Sequence, residues 1–331
     1  MFEDRKKLYK KLEKSRDSKL LTYITGDRRG LETEIHSETI DYFVAHLDKI
    51  GVVKKITLFL YTRGGNTLAG WNIINLIRQY CDELEIIVPF KCQSTGTLMC
   101  LGAEKIIMTK QATLGPIDPS INTSLNPHID GAPPHVRYPV SVEAINGFVE
   151  FAKNELGITS EKEKAQILLK LSDKIHPLVL GQVYRTRSQI QMLASRLLRA
   201  QLTDQDKIEE VISFLCSGSG SHDYTINRRE AEKRLNLSIE KPDYPLYELI
   251  KATYDDISEE LELTTSYDPN HILAGANEKD YLFKRALVES LPGGCHSFVS
   301  EGRIQRIIPP VGNGPHTIQD QRAFEGWRKI A

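Results

Sequence analysis

Two short motifs hold the residues of this chain best suited to covalent chemistry, Thr62-Arg63-Gly64-Gly65-Asn66 and Ser94-Thr95-Gly96-Thr97. Each follows an apolar, β-like run and opens a helical pattern. A serine at a strand-to-helix junction can attack an acyl carbon there. The unpaired N–H groups of a helix start can hold a developing oxyanion, and glycine lets backbone come close to a substrate. In that reading Ser94 is the nucleophile, and the backbone N–H groups of Gly65 and Thr95 are the oxyanion donors. Taken in isolation, Ser-Thr-Gly-Thr reads first as a capping turn, and a glycine pair says less still. The order of the two motifs, their separation by one strand–helix–strand unit and the following Leu114-Gly115-Pro116-Ile117-Asp118-Pro119 turn the reading toward function.

The elements that must position these residues alternate. Leu20 to Gly26 reads as a first strand, and Ser37 caps a helix whose Ile40, Phe43, Val44 and Leu47 share a face. Ile56 to Tyr61 is a β-branched and aromatic run, after which Leu68, Trp71, Ile74 and Ile77 recur at helical spacing. Leu84 to Phe90 is the next strand, Gly96 to Ala103 a buried helix and Ile106 to Met108 a further strand. This alternation predicts an α/β fold with a largely parallel core. Residues 2–17 read as a charged helix packed peripherally, and residues 121–139 as a long loop rich in Asn, Pro, Gly and His. Residues 141–156, 161–174 and 177–201 follow as a helical layer, Asn227 caps a short helix, and another helix spans 246–261. The division expected is 1–140 for the α/β core, 141–262 for the helical layer, and 263–331 for a less regular C-terminal extension in which 281–288 and 296–308 could pair as strands.

With 331 residues, 40% hydrophobic and 26% charged, the chain can bury a sizeable core. A formal net charge of −1 gives no footprint for nucleic acid. The five cysteines are odd in number and lack the paired spacing of a zinc site, so reduced, mostly buried thiols and no metal are expected. The charged start Met1-Phe2-Glu3-Asp4-Arg5-Lys6-Lys7 and the lack of any run of membrane-spanning length read as a cytoplasmic protein. Gly64-Gly65 is no dinucleotide fingerprint and no Walker A motif is present, so no cofactor is expected, and any ATPase would be a separate partner.

Together with His176-Pro177-Leu178-Val179-Leu180-Gly181 and His222-Asp223-Tyr224, the motifs above resemble the serine dehydrogenase proteinase branch of the Clp/crotonase-fold serine peptidases, over roughly residues 10–250. The resemblance implies a spiral of strand–strand–helix units, a homo-oligomer and a triad in the order Ser94, Asp118, His222: nucleophile, orienting carboxylate and general base. Clp-type proteases carry the histidine near the slot that Asp118 fills here, so the chain order is permuted while the roles stay the same. Thr225 departs from the proline that the branch carries after His-Asp-Tyr.

A serine hydroxyl needs a base to attack an amide. No lysine lies between Lys110 and Lys153, where lysine-using relatives of the fold carry theirs. His128 and His135 in the long loop compete with His222 as base, while Asp118 between two prolines is equally a turn residue, and His176 reads as a packing or capping residue. Peptide-bond hydrolysis through an acyl-enzyme on Ser94 is the function expected. A silent oligomeric scaffold and, more weakly, an acyl-CoA enzyme of the crotonase kind stand as alternatives.

Overall fold

The β-branched runs form strands and the helical periodicities form helices, within a few residues of the expected limits. The computed structural model describes residues 1–117, 120–133, 135–221, 223–307 and 317–331. In chain order the strands are β1 (Lys19–Thr25), β2 (Val53–Tyr61), β3 (Cys81–Val88), β4 (Lys91–Cys92), β5 (Lys105–Met108), β6 (Thr113–Leu114), β7 (Ser120–Ile121), β8 (Val140–Ser141), β9 (Ile226–Asn227), β10 (Ile239–Glu240), β11 (Glu278–Ser290), β12 (Gly294–Ile307) and β13 (Thr317–Lys329). The helices are α1 (Phe2–Arg16), α2 (Ile40–Ile50), α3 (Thr67–Ile77), α4 (Thr95–Leu101), α5 (Val142–Asn154), α6 (Glu161–Ser172), α7 (Pro177–Leu198), α8 (Gln205–Ser213), α9 (Arg228–Lys233), α10 (Tyr244–Glu260) and α11 (Pro269–Leu273).

Two compact units result, residues 1–114 with 227–331, and residues 115–226. The first is built on an eight-stranded sheet in the order β10-β5-β3-β2-β1-β11-β12-β13. From β10 to β1 the strands are parallel. Their inner residues, Leu20–Thr25 of β1 and Ile56–Tyr61 of β2, are continuously buried, as strands covered on both faces must be. The carboxyl ends of these strands lead into the loops that carry Thr62–Asn66 and Phe90–Ser94, the rim where parallel sheets place their ligand sites.

The first helix is part of the core, contrary to its peripheral reading. Phe2, Tyr9 and Leu12 are buried, and Arg5 is fully buried with them. Arg5 donates to Glu289 through Nε (3.0 Å) and Nη2 (2.7 Å) and to Glu260 (2.9 Å), and it also pairs with Asp256. Tyr9 donates to the same Glu289 carboxylate (2.5 Å). A buried charge is tolerable when paired in this way, so a helix that looks solvated in sequence is tied to α10 and β11. The helix at Ile40 also starts differently from expectation. Ser37–Thr39 is a 3-10 turn, and His36 rather than Ser37 supplies the cap, its Nδ1 accepting the Glu38 N–H (3.4 Å).

The tail is more regular than the sequence suggests. The segments around 281–288 and 296–307 do pair antiparallel, Tyr281 opposite Gly302 and Val288 opposite His296, and β13 adds a third strand. Thr22–Thr25 of β1 pair with Glu289–Ala286 of β11, which joins this meander to the main sheet. In the second unit, β7 pairs with β8, and Ile121, Val140, Val142, Val179 and Val183 form a small core. In the same unit α6 has no buried residue, and its Leu168 and Leu169 are 58% and 68% exposed.

Candidate active site

Ser94 sits on a sharp turn between β4 and α4 with φ 52° and ψ −116°, a left-handed conformation for a residue with a Cβ. Such a backbone costs about 1–3 kcal/mol and persists only where its surroundings impose it. Strained strand-to-helix turns of this kind present a serine hydroxyl outward. The capping alternative does not hold, because Ser94 occupies the N-cap position and its side chain makes no cap hydrogen bond. The residue is half-buried.

The glycine motif lies directly against this turn. A Cβ on Gly64 would stand 2.8 Å from the Ser94 Cβ and 3.3 Å from its Oγ, so only glycine admits the serine there. Gly64 and Gly65 adopt φ 112° and 137°, values that L side chains rarely take. Three hydrogen bonds fix the two peptide planes around Gly65. The Ile35 N–H donates to the Gly64 carbonyl (2.8 Å), the Asn66 N–H donates to the Ile35 carbonyl (2.8 Å), and the Thr95 hydroxyl donates to the Gly65 carbonyl (2.6 Å). In a trans peptide the N–H points opposite to the carbonyl. With the Gly64 carbonyl turned to Ile35, the Gly65 N–H therefore faces away from Ile35. Among the described residues neither the Gly65 N–H nor the Thr95 N–H donates to a backbone carbonyl outside regular secondary structure.

Thr62 links the two motifs. Its N–H donates to the Lys91 carbonyl (3.2 Å) and its carbonyl accepts from the Gln93 N–H (3.1 Å). Its hydroxyl oxygen accepts from Thr25 Oγ1 (2.7 Å) and from the Gly64 N–H (3.0 Å). Gly96 is needed for packing, since a Cβ there would lie 2.4 Å from Thr62 Cγ2 and 2.6 Å from Cys92 Sγ. Asn66 caps α3, its Oδ1 accepting the Ala69 N–H (2.8 Å). Both motifs thus follow a strand and open a helix as expected, and their glycines, Thr62, Thr95 and Asn66 each have an identifiable steric, conformational or hydrogen-bonding reason.

Sequence reasoning missed the charged group behind the turn. Lys91 pairs with Asp27 (2.5 Å), and Tyr61 donates to the same carboxylate (2.8 Å). Burial, with Tyr254 and Asp27 acting the same way, pushes the Tyr61 phenol far above its ordinary range, so it stays a donor. The lysine nearest Ser94 in sequence is therefore engaged by a carboxylate 64 positions away, a partner no local pattern could reveal. Burial and Cys100, whose sulfur lies 3.7 Å away, push the Cys92 thiol well up. All five cysteines are free, as expected, and four of them are buried.

Asp118 and His222 lie outside the described residues. His128 and His135 are exposed in the second unit, and His176 caps α7 as expected, its Nδ1 accepting the Leu178 N–H (3.2 Å). His46 and His296, which carry no recognisable sequence pattern, meet in the first unit. The Ser290 hydroxyl is 2.7 Å from His46 Nδ1, and His46 Nε2 is 2.9 Å from His296 Nδ1. Burial, reinforced by His296, Lys49 and Lys329, pushes the His46 imidazole down to about 3. Among the described residues no group of three or more His, Cys, Asp or Glu side chains is placed to hold a metal ion, and no helix is long and apolar enough to cross a membrane.

Residues 1–132 match the ClpP-like SDH-type serine proteinase family, so the resemblance carried by the motifs is borne out over that stretch. It contains Thr62–Asn66, Ser94–Thr97 and Leu114–Pro119, whereas the His176 and His222 segments lie beyond it. Two uncharacterized proteins of Methanocaldococcus jannaschii are similar. MJ0137 is 30% identical over 202 residues, 60% of this chain and 59% of its own length. MJ1495 is 27% identical over 199 residues, 59% and 56% respectively. The chain thus spans less than two thirds of these relatives. Among solved structures, a mutant of the 1510-N membrane-bound stomatin-specific protease aligns at 16% identity and a TM-score of 0.37, covering 69% of this chain and 83% of that one. A second mutant of that protease, in complex with a substrate peptide, gives the same identity and score over 78% of its chain.

Proposed function

We propose that this protein is a serine peptidase that cleaves peptide bonds through an acyl-enzyme on Ser94. One observation carries the reading: a serine on a left-handed strand-to-helix turn, its hydroxyl not spent on capping, faces a glycine loop with the Gly65 and Thr95 N–H groups as candidate donors. In the proposed reaction Ser94 Oγ adds to the scissile carbonyl as a base takes its proton. The two N–H groups receive the oxyanion, the amine leaves protonated, and water then releases the acyl group.

His222 is proposed as the base and Asp118 as its orienting carboxylate, on the strength of the motif resemblance, with His128 and His135 as rivals. A cytoplasmic homo-oligomer acting on peptide or protein substrates, with any ATPase supplied by a separate partner, belongs to the same proposal. The free thiols fit a reducing compartment. On α7, Leu178 and Tyr184 are 67% and 73% exposed, more apolar surface than a lone helix face needs.

The test is labelling of the purified protein with a fluorophosphonate. Attachment at Ser94, abolished in Ser94→Ala, supports the reading. Equal labelling of both proteins sinks the nucleophile assignment, and a folded oligomer with no labelling and no turnover favours the scaffold alternative.

A further inference from the structure

We propose that the Thr95 side chain is a positioning residue of the oxyanion site, its hydroxyl holding the Gly65 loop at a fixed separation from the start of α4. The inference rests on the peptidase reading of Ser94 and adds to it a role for a side chain where only backbone groups had one.

Thr95 is fully buried and follows Ser94 directly, so its own N–H is one of the two candidate donors. Its Oγ1 donates to the Gly65 carbonyl at 2.6 Å, while the Gly65 N–H is the other donor. One residue therefore carries half of the site and ties down the other half. The tie matters because Gly65, at φ 137°, has no Cβ to restrict its ψ. Ile35 anchors the peptide plane before Gly65 and, through Asn66, the N–H side of the plane after it. Among the described residues Thr95 is the donor to the Gly65 carbonyl itself. The Thr95 rotamer is in turn held by α3. A Cβ on Gly70 would lie 2.4 Å from Thr95 Cγ2, so the methyl packs against the bare face of that glycine and aims the hydroxyl at Gly65.

Oxyanion donors act through placement, and a loop that can drift loses transition-state stabilisation without losing the ability to bind substrate. This separates positioning from packing, because the two roles rank the same substitutions in opposite order. Thr95→Val keeps the methyl against Gly70 and removes the hydroxyl. Thr95→Ser keeps the hydroxyl and removes the methyl.

The experiment measures the limiting rate and the half-saturating concentration of fluorophosphonate labelling at Ser94 in the full chain, for wild type, Thr95→Val, Thr95→Ser and Ser94→Ala. Thr95→Val should lower the limiting rate by about 10–100-fold, less than loss of a donor outright, with half-saturation unchanged. Thr95→Ser should stay within about threefold of wild type. Wild-type labelling by Thr95→Val, or a slow Thr95→Ser beside a normal Thr95→Val, overturns the inference and leaves the peptidase reading standing. Should the valine variant fail to fold, Thr95→Ala against Thr95→Ser isolates the hydroxyl. A slow alanine variant supports the tie, and equal rates overturn it. Absence of labelling at Ser94 in the wild type, or equal labelling of Ser94→Ala, instead removes the reading on which the inference stands.

Discussion

Ser94 and Ser290 belong to the same unit of the molecule, and among the described residues their surroundings differ in the opposite way from what a search for nucleophiles would assume. Ser290 has the contacts of an activated serine, with His46 at 2.7 Å and His296 behind it at 2.9 Å. It is nonetheless sealed. Ser290 and His46 are fully buried, and a Cβ on Gly293 would fall 2.1 Å from His46 Nδ1 and 2.5 Å from Ser290 Oγ, so the turn backbone lies on top of them. The Gly293 N–H also donates to the Ser290 hydroxyl (3.0 Å), which engages one of the two lone pairs an attack could use. Among the described residues Ser94 has no such partners, and it is half-buried, yet it carries the strained backbone, the adjoining glycines and the candidate N–H donors. The sealed Ser290 shows that a nucleophile–base contact by itself is a poor marker of a reactive serine. Access and somewhere to put negative charge discriminate better.

The sharpest way to break this contrast is to remove each hydroxyl. Ser94→Ala should reduce turnover by about 10⁴-fold or more with little change in thermal stability, because its hydroxyl caps nothing. Active-site titration and calorimetry on the same sample check both halves. A fully active Ser94→Ala would place the chemistry elsewhere. Next in size, His222→Ala and Asp118→Asn should each lower the acylation rate by about 10²–10⁴-fold, while His128→Ala and His135→Ala leave it near wild type. Pre-steady-state kinetics with an activated ester reads this directly. Loss in either loop variant with a normal His222→Ala would move the base to the loop.

The two regions also differ in how far the sequence betrays them. The Ser94 turn is legible because its determinants are local. The strand, the Ser-x-Gly step and the glycine pair lie in two short windows whose residue types restrict the backbone, and the steric reasons at Gly64 and Gly96 reflect that. The Ser290–His46–His296 group is illegible because its members come from α2, β11 and β12, and His46 and Ser290 are 244 residues apart. Distance in sequence also hid the place of α1. Its Arg5 reads as a surface charge until Glu289 and Glu260 arrive from the far end of the chain. Strand β13 was invisible for another reason. Its side chains are mostly exposed, so Thr317–Lys329 carries no apolar alternation, and pairing with β12 rather than burial makes it a strand.

Stability should sort the serines the other way. Ser290→Ala should leave labelling at Ser94 unchanged and cost about 1–3 kcal/mol, because His46 Nδ1 and the Gly293 N–H lose a buried partner where water does not reach. Denaturant titration alongside Ser94→Ala measures the difference. A Ser290→Ala protein that is inactive yet as stable as wild type would reverse the assignment of the two sites.

The smallest effect expected is a pH dependence of stability confined to the sealed group. A consistent donor chain runs from the Gly293 N–H to Ser290, from Ser290 to His46 Nδ1 and from His46 Nε2 to His296 Nδ1, with both imidazoles neutral. Burial, His296, Lys49 and Lys329 all disfavour a proton on His46, whose folded value falls to about 3 from an ordinary 6.5, and burial with the same lysines lowers His296. The unfolded chain takes up protons near pH 6.5 that the folded chain refuses. Stability from this group is thus fully present above that pH and is lost as pH falls through the window between the two values. The carboxylates of Glu85 and Glu260, lowered below their ordinary 4.5, keep their contribution until the pH is lower still, so the upper part of the window belongs to the histidines. Between about pH 6 and 5 the free energy of unfolding should fall by up to about 1.4 kcal/mol per pH unit for His46. His46→Gln, which keeps a polar group without a titratable one, should be less stable at neutral pH and flatter across this window. Equal slopes for wild type and variant would mean that His46 is protonated in the folded protein, and that the array at Ser290 is less sealed than its geometry requires.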